Sequence, residues 1–311
     1  MKISIATSAL RPLFDGTPQS LIQAYQNTGF THFDYGFDGF FDENSEYRDA
    51  KFESGLHQVR EQAERQGADF VMAHAPYKYN PCRSSEEFEA QVADTQKAIY
   101  GCSILGIDRM TVHAGFGFVE SMDDMLKINQ KYFRMLLPEA EKYGVTLMME
   151  NIAEEIYQRK FVVENADTML ILKQMLENHP LLRVCWDTGH ANVKNLDQYA
   201  NIAKLKGELY GLHIQDNNGY HDDHMPPLMG TVNYDEVLKG LLDIGYDGPF
   251  NLESHVLNNG RTWPNYRREF TEASKAQARL FDPDDALRIY GVQLMYHLAE
   301  YMLKKYDIPV E

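Results

Sequence analysis

Positive charge is scarce in this chain: 30 Lys and Arg stand against 46 Asp and Glu, a formal net charge of −16 over 311 residues. A surface of that sign repels a phosphate backbone unless Lys and Arg gather on one face. No block of either occurs, so nucleic acid is not the expected partner. Cysteine is also sparse. Cys82, Cys102 and Cys185 show no paired spacing and leave one unpaired, the usage expected in a reducing compartment. No stretch approaches the roughly 20 apolar residues of a membrane helix. Met1-Lys2 runs straight into Ile3-Ser4-Ile5-Ala6 without an apolar leader, so a cytoplasmic protein away from membranes is expected. No GxGxxG follows the first strand, which argues against a dinucleotide-dependent hydride-transfer enzyme. No Gly/Ser/Pro-rich linker, low-complexity tract or short repeat divides the chain, and a single domain over 1–311 is expected.

What is present is a regular alternation. Short apolar runs at 3–7, 32–36, 70–74, 110–113, 146–150, 183–187, 210–214 and 250–253 read as strands, with helical stretches between them. Several are nearly continuous in apolar character, as parallel strands buried on both faces are. Helix-start chemistry lies between them. Thr17-Pro18 offers a cap followed by proline, and Ser84 and Asn233 each stand three residues before a Glu, as in a capping box. After Asn165, the residues Met169, Leu172, Met175 and Leu176 share one helical face. Eight strands with intervening helices predict an α/β fold, a (β/α)8 TIM barrel over about 1–255 with a C-terminal helical extension over about 256–311. Helix-like stretches near 265–281 and 284–306 make up that extension. It is free to pack under the barrel, cover its mouth, or join copies into a homo-oligomer.

The residues able to do chemistry fall at strand ends. His74 ends the third strand, His113 the fourth, Glu150-Asn151 the fifth, Asp187 the sixth and Glu253 the eighth, with His213 late in the seventh. In a (β/α)8 barrel all carboxyl ends open on one face, where active sites are built. Singly, a strand-end His is more often structural, and a lone acid there often caps the next helix. Jointly those readings are poor. Glu150, Asp187 and Glu253 bring three negative charges to one rim, and buried unpaired charge costs several kcal/mol. One divalent cation held by Glu150, Asp187, His213 and Glu253 is the economical counter-charge. Three carboxylates and one imidazole suit Mn, Mg or Co and also accept Zn. Octahedral geometry would leave two positions for neighbouring oxygens of a hydroxy-ketone or hydroxy-aldehyde. In the loop 36–47, Phe37, Phe40, Phe41 and Tyr47 are too aromatic for a solvated loop. They are expected to cover the site in part or, alternatively, to pack on a neighbouring helix or subunit.

The order His74, His113, Glu150, Asp187, His190, His213, Glu253 resembles the xylose-isomerase-like TIM-barrel superfamily over roughly residues 1–255. The most specific pieces are Trp186-Asp187-Thr188-Gly189-His190 and His213-Ile214-Gln215-Asp216-Asn217. The second runs on into Asp222-Asp223-His224 and Gly230-Thr231. That group includes sugar isomerases and epimerases, inosose dehydratases and abasic-site nucleases of the endonuclease IV type. In its ketose 3-epimerases, positions matching Glu150, Asp187, His213 and Glu253 hold the metal. The two glutamates there act as acid and base, and the position matching His190 touches the substrate. The resemblance thus implies a metal-dependent sugar or polyol isomerase or epimerase with Glu150 and Glu253 catalytic. In such chemistry the metal acidifies the C–H beside a carbonyl and stabilises the enediolate, while carboxylates move the proton. The carbohydrate would be bound by His74, His113, His190, Asn151 and His224, with Lys78 the one nearby cation.

One departure narrows this reading. Those epimerases carry an arginine just after the strand-seven histidine, where this chain has Asn217-Asn218-Gly219-Tyr220. The segment 213–231 is closer to sugar-phosphate isomerase/epimerase relatives and to inosose dehydratases, although no Gly-rich phosphate loop is present. The rival enzyme class is a zinc-dependent abasic-site endonuclease. Its three-zinc pattern is matched in residue type by His74, His113, Glu150, Asp187, His190, His213, Asp222, His224 and Glu253. The net charge of −16 and the acidic, aromatic loop 36–47 favour small-molecule chemistry instead. A non-catalytic metal-dependent sugar-binding protein is a further alternative, disfavoured because both glutamates are kept.

Overall fold

The computed structural model describes residues 1–9, 18–42, 45–119, 121–153, 163–255 and 284–311. Eight parallel strands form one sheet: β1 Ile3–Ala6, β2 His32–Gly36, β3 Asp69–His74, β4 Arg109–Val112, β5 Thr146–Glu150, β6 Leu182–Asp187, β7 Leu209–His213 and β8 Phe250–Leu252. Their order is β7-β6-β5-β4-β3-β2-β1-β8, and a parallel bridge between Ile214 and Leu252 joins the two ends. The fold is a (β/α)8 TIM barrel, as the alternation predicts. Each strand lies within one residue of its expected bounds, because burial on both faces demands an unbroken apolar run. Thr146–Glu150, for instance, is buried at every position.

The described helices are α1 Pro18–Gln23, α2 Asp38–Phe41, α3 Phe52–Gln66, α4 Ser85–Leu105, α5 Met122–Tyr143, α6 Ala166–Met175, α7 Thr188–Val193, α8 Gln198–Lys204, α9 Tyr234–Ile244 and α10 Asp285–Lys305. Ser84 and Asn233 cap α4 and α9 by accepting from the amides of Glu87 and Glu236. Asn165 and Thr168 form a reciprocal box at α6. These caps satisfy amides that the first turn leaves without partners. Thr17 and the helix expected near 265–281 lie outside the described residues.

The C-terminal helix is present. It packs beside the barrel, bridging the turn after α1 to α9. Gln293 Nε2 donates to Asn27 O at 2.8 Å, and Tyr306 donates to Asp235. The Tyr296 ring meets Phe30 edge-on at 5.2 Å and lies so close to Gly29 that a Cβ there would stand 2.9 Å from it.

The loop aromatics take the second of their two expected courses. Phe37, Phe40 and Phe41 are buried in the core and do not cover the mouth. Phe40 and Phe41 meet Phe52 of α3 at 5.7 and 5.9 Å, and Phe37 presses on α4 where Gly101 leaves room. Tyr47 lies against Gly55 of α3. Burial of each phenyl group is worth about 1.5–3 kcal/mol, more than a solvated lid offers these rings.

Candidate metal centre

The strand ends deliver the expected side chains to one place. Glu150 is the last residue of β5 and is fully buried. Its Oε1 lies 2.7 Å from His213 Nδ1, and its Oε2 lies 2.7 Å from His113 Nε2. Asp187 ends β6, also fully buried, and one of its oxygens accepts from the amide of His190 at 2.6 Å, capping α7. His213 ends β7, and its Nδ1 is 2.9 Å from Glu253 Oε2, just beyond β8. Glu150, Asp187, His213 and Glu253 each offer a ligand atom, all within 4.8 Å of one another. The donor chemistry therefore fits a divalent cation.

Three further groups of the same kind share the rim: His74, His113 and Glu150; His74, His213 and Glu253; and His190, Asp222 and His224. His74 Nε2 is 3.1 Å from His113 Nε2 and 3.5 Å from Glu150. Asp222 Oδ2 lies 3.2 Å from His190 Nε2 and 3.0 Å from His224 Nε2. The loop that carries Asp222 and His224 is held by Asp216, whose carboxylate accepts from the amides of Asn217, Gly230 and Val232. A Cβ on Gly230 would stand 2.2 Å from the Asn217 carbonyl, so this turn needs glycine there.

Electrostatics link these groups. Burial works against the charged form of His74, yet the Glu150 carboxylate beside it raises His74 to about 9. Asp222 likewise overcomes burial and raises His224 to about 10. Burial would raise Glu253, but the His213 imidazole outweighs it and holds Glu253 at about 2. At Asp187 burial prevails, reinforced by the charges of Glu150, Glu253 and Asp222 against His190, and pushes it up to about 7. Without a cation, protons on the imidazoles serve as the counter-charge, and a bound ion would displace them.

Other expected residues are placed differently. Lys78 is exposed, with its ammonium 5.3 Å from the centre of the Tyr79 ring. Asn151 is buried and cross-links two strand ends. Its amide donates to Asp187 O at 2.9 Å and accepts from Asp187 N at 2.7 Å. These two bonds tie the end of β5 to the end of β6. His190 Nδ1 is 2.8 Å from the Asn151 carbonyl.

Three neighbours escape the sequence reading. Gln215 lies two residues beyond His213, and its amide donates to Asp187 and Asp222. His255 stacks on His224 with ring centres 5.4 Å apart. Asp34, a buried carboxylate between Phe33 and Tyr35 in β2, faces His213 at 3.5 Å. Its one readable signal is an acid flanked by two aromatic residues in the middle of a strand.

A sequence profile described as Xylose isomerase-like TIM barrel matches residues 22–276. The uncharacterized protein MJ1311 of Methanocaldococcus jannaschii is 26% identical over 210 residues, 65% of this chain and 70% of that one. A ketose 3-epimerase of Arthrobacter globiformis is 28% identical over 116 residues, 37% of this chain and 37% of that one. Among solved structures, D-psicose 3-epimerase with D-tagatose, from Clostridium cellulolyticum H10, superposes with a TM-score of 0.74. At 15% identity, over 97% of this chain and 99% of that one, the likeness is one of fold. With the profile spanning most of the barrel, the chain belongs to the xylose isomerase-like TIM barrel family.

Proposed function

We propose that this protein is a divalent-metal-dependent isomerase or epimerase of a small carbohydrate, acting by proton removal beside a carbonyl. One observation carries the reading: Glu150 and Glu253 approach the same nitrogen of His213 at 2.7 and 2.9 Å, within a four-residue donor set. The partial match to a ketose 3-epimerase supports the substrate class. Glu150, Asp187, His213 and Glu253 would hold the ion, with Mn, Mg, Co and Zn all compatible with so oxygen-rich a set. When bound, the ion supplies positive charge to the substrate oxygen that becomes negative as the proton leaves.

The chain's own groups do the rest. For epimerisation, one glutamate takes the proton from carbon while the other, entering the cycle in its acid form, returns one to the opposite face; exchange of the surplus proton with solvent then restores both carboxyls. His113, fixed on Glu150 at 2.7 Å, orients that carboxylate. His74, His190 and His224 present imidazoles to substrate hydroxyls around the rim. A cytoplasmic location fits three free, buried cysteines and the lack, among described residues, of a helix able to cross a membrane.

A second reading, phosphodiester cleavage at a multi-ion site, is favoured by the His74–His113–Glu150 and His190–Asp222–His224 groups. The net charge of −16 opposes it. Incubation of ion-loaded protein with ketoses, aldoses and inososes in D2O separates the readings. Deuterium at carbon is the expected result, and concurrent loss of a hydroxyl would assign dehydration on the same site. Three stoichiometric zinc ions with cleavage of abasic-site DNA, and no deuterium uptake, would overturn the proposal.

A further inference from the structure

Asp34 lies in the middle of β2, only 1% exposed. A carboxylate there costs several kcal/mol unless donors meet its charge. Asn251 Nδ2 of β8 donates to Asp34 Oδ2 at 3.0 Å, and Asn251 is itself held by Ser4 Oγ of β1 at 2.9 Å. A further neighbour is His213, whose Nε2 lies 3.5 Å from the same Oδ2. Asp34 Oδ1 and His213 Nε2 are both buried with no hydrogen-bond partner of their own. A buried ring nitrogen without a partner is unusual, and Asp34 Oδ2 is the acceptor it is turned towards.

The imidazole of His213 thus stands between two acidic layers. Nδ1 faces Glu150 and Glu253, whereas Nε2 faces Asp34. Oδ2 already accepts from the Asn251 amide, so the His213 nitrogen turned towards the same oxygen meets it as an N–H donor. Without a cation Nδ1 is turned to the carboxylates of Glu150 and Glu253, and once a bound ion displaces the proton there, Nδ1 is the nitrogen left to give a lone pair. Among the described residues Asp34 belongs to none of the candidate ligand groups, so it is read as a partner of a ligand and not as a ligand.

We propose that Asp34 is a positioning residue that fixes His213 as the Nε2–H form, aiming Nδ1 at the cation. This rests on the assignment of Glu150, Asp187, His213 and Glu253 as cation ligands. The Ser4–Asn251–Asp34 chain ties the orientation of one ligand to strands β1, β8 and β2. A ring flip would then turn a bare nitrogen towards a buried carboxylate. Partners of this kind on ligand histidines typically change metal affinity by about 10–100-fold when removed.

The test combines two measurements on Asp34→Ala and Asp34→Asn. Asn can keep an oxygen where Oδ2 accepts from both Asn251 and His213, placing its amide nitrogen on the partnerless Oδ1 side. It retains the acceptor and loses the charge. The first measurement is Zn2+ affinity by competition with a chelating dye, expected to fall about 10–100-fold in Asp34→Ala and less in Asp34→Asn. The second is 15N NMR of the His213 side chain, with and without Zn2+. A hydrogen-bonded Nε2–H resonance is expected in the wild type, shifted but kept in Asp34→Asn and lost in Asp34→Ala. If Asp34→Ala does not fold, Asp34→Asn decides by its weakened affinity and shifted resonance. Wild-type affinity together with a wild-type Nε2–H signal in a folded variant overturns the proposal. Equal Zn2+ affinity in wild type and in Asp187→Ala/His213→Ala would instead discard the ligand set. The NMR signal would then still decide whether Asp34 holds His213.

Discussion

The amide of Gln215 fills the space in which a side chain on residue 189 would stand: a Cβ built on Gly189 would meet Gln215 Cδ and Oε1 at 2.1 Å. This explains a glycine inside a helix, where alanine is ordinarily favoured by about 1 kcal/mol. Gln215 bridges Asp187 and Asp222, and thereby two of the candidate ion groups. Gly189→Ala should displace the amide from its buried bonds to Asp187 and Asp222, lowering stability by about 1–3 kcal/mol. Ion affinity should fall about 10-fold, as for loss of other groups that orient ligands. Calorimetric titration and thermal unfolding would read the two effects separately, and unchanged affinity would mean that Gln215 does not orient Asp187.

Asp187→Ala combined with His213→Ala removes two of the four donors that lie within 4.8 Å of one another. Purified wild-type protein should carry at least one divalent ion, and the double variant none. Full occupancy by elemental analysis in the double variant would rule out this ligand set.

Glu150→Gln and Glu253→Gln preserve volume and remove a base. At saturating ion, each should slow exchange of the carbon-bound proton by about 100- to 10,000-fold. Occupancy must be measured in parallel, because both carboxylates also belong to the donor set. A variant with full occupancy and wild-type exchange would remove that glutamate from the acid–base pair.

The ion-free protein should lose stability on the alkaline side. His74 at about 9 and His224 at about 10 are raised above the usual 6.5, so their contribution is complete below 6.5 and is lost as pH climbs through those values. Asp187, pushed up to about 7, has the same sign, since its neutral form is the favoured one in the fold. Glu253 at about 2 acts oppositely: its contribution is present above 4.5 and disappears as pH falls towards 2. A divalent ion should flatten the alkaline limb by taking the place of the displaced protons. The check is Tm against pH with and without chelator, and a level ion-free profile from pH 6.5 to 10 contradicts it.

Phe40→Ala should destabilise the protein by about 3–5 kcal/mol, the usual cost of emptying a buried phenyl site. Ion affinity should be unchanged, because Phe40 packs on Phe52 and Tyr47 and makes no described contact with the donor set. An altered substrate KM with intact stability would instead reinstate these rings as a cover.

Much of this architecture was legible along the chain. A parallel strand buried on both faces must be a short, continuous apolar run, and the residue ending it must lie on the barrel's functional rim. Glu150, Asp187, His213 and Glu253 were readable for that reason, since position in the strand alone brings them to one face. Other features depended on distances between segments far apart in sequence. Apolar character could not say whether Phe37, Phe40 and Phe41 would bend over the mouth or into α3 and α4; the space left by Gly55 and Gly101 decided it. Lys78 and Asn151 were near the rim in sequence, but only the structure sets Lys78 beside the Tyr79 ring and engages Asn151 with the Asp187 backbone. Asp34 and Gln215 acquire meaning only from barrel closure, which brings Asp34 of β2 to His213 and packs Gln215 into the gap at Gly189. Pattern fixes which face a side chain shares with its own strand, but its partners across the barrel are set by packing, because buried charge must find a donor within a few ångströms.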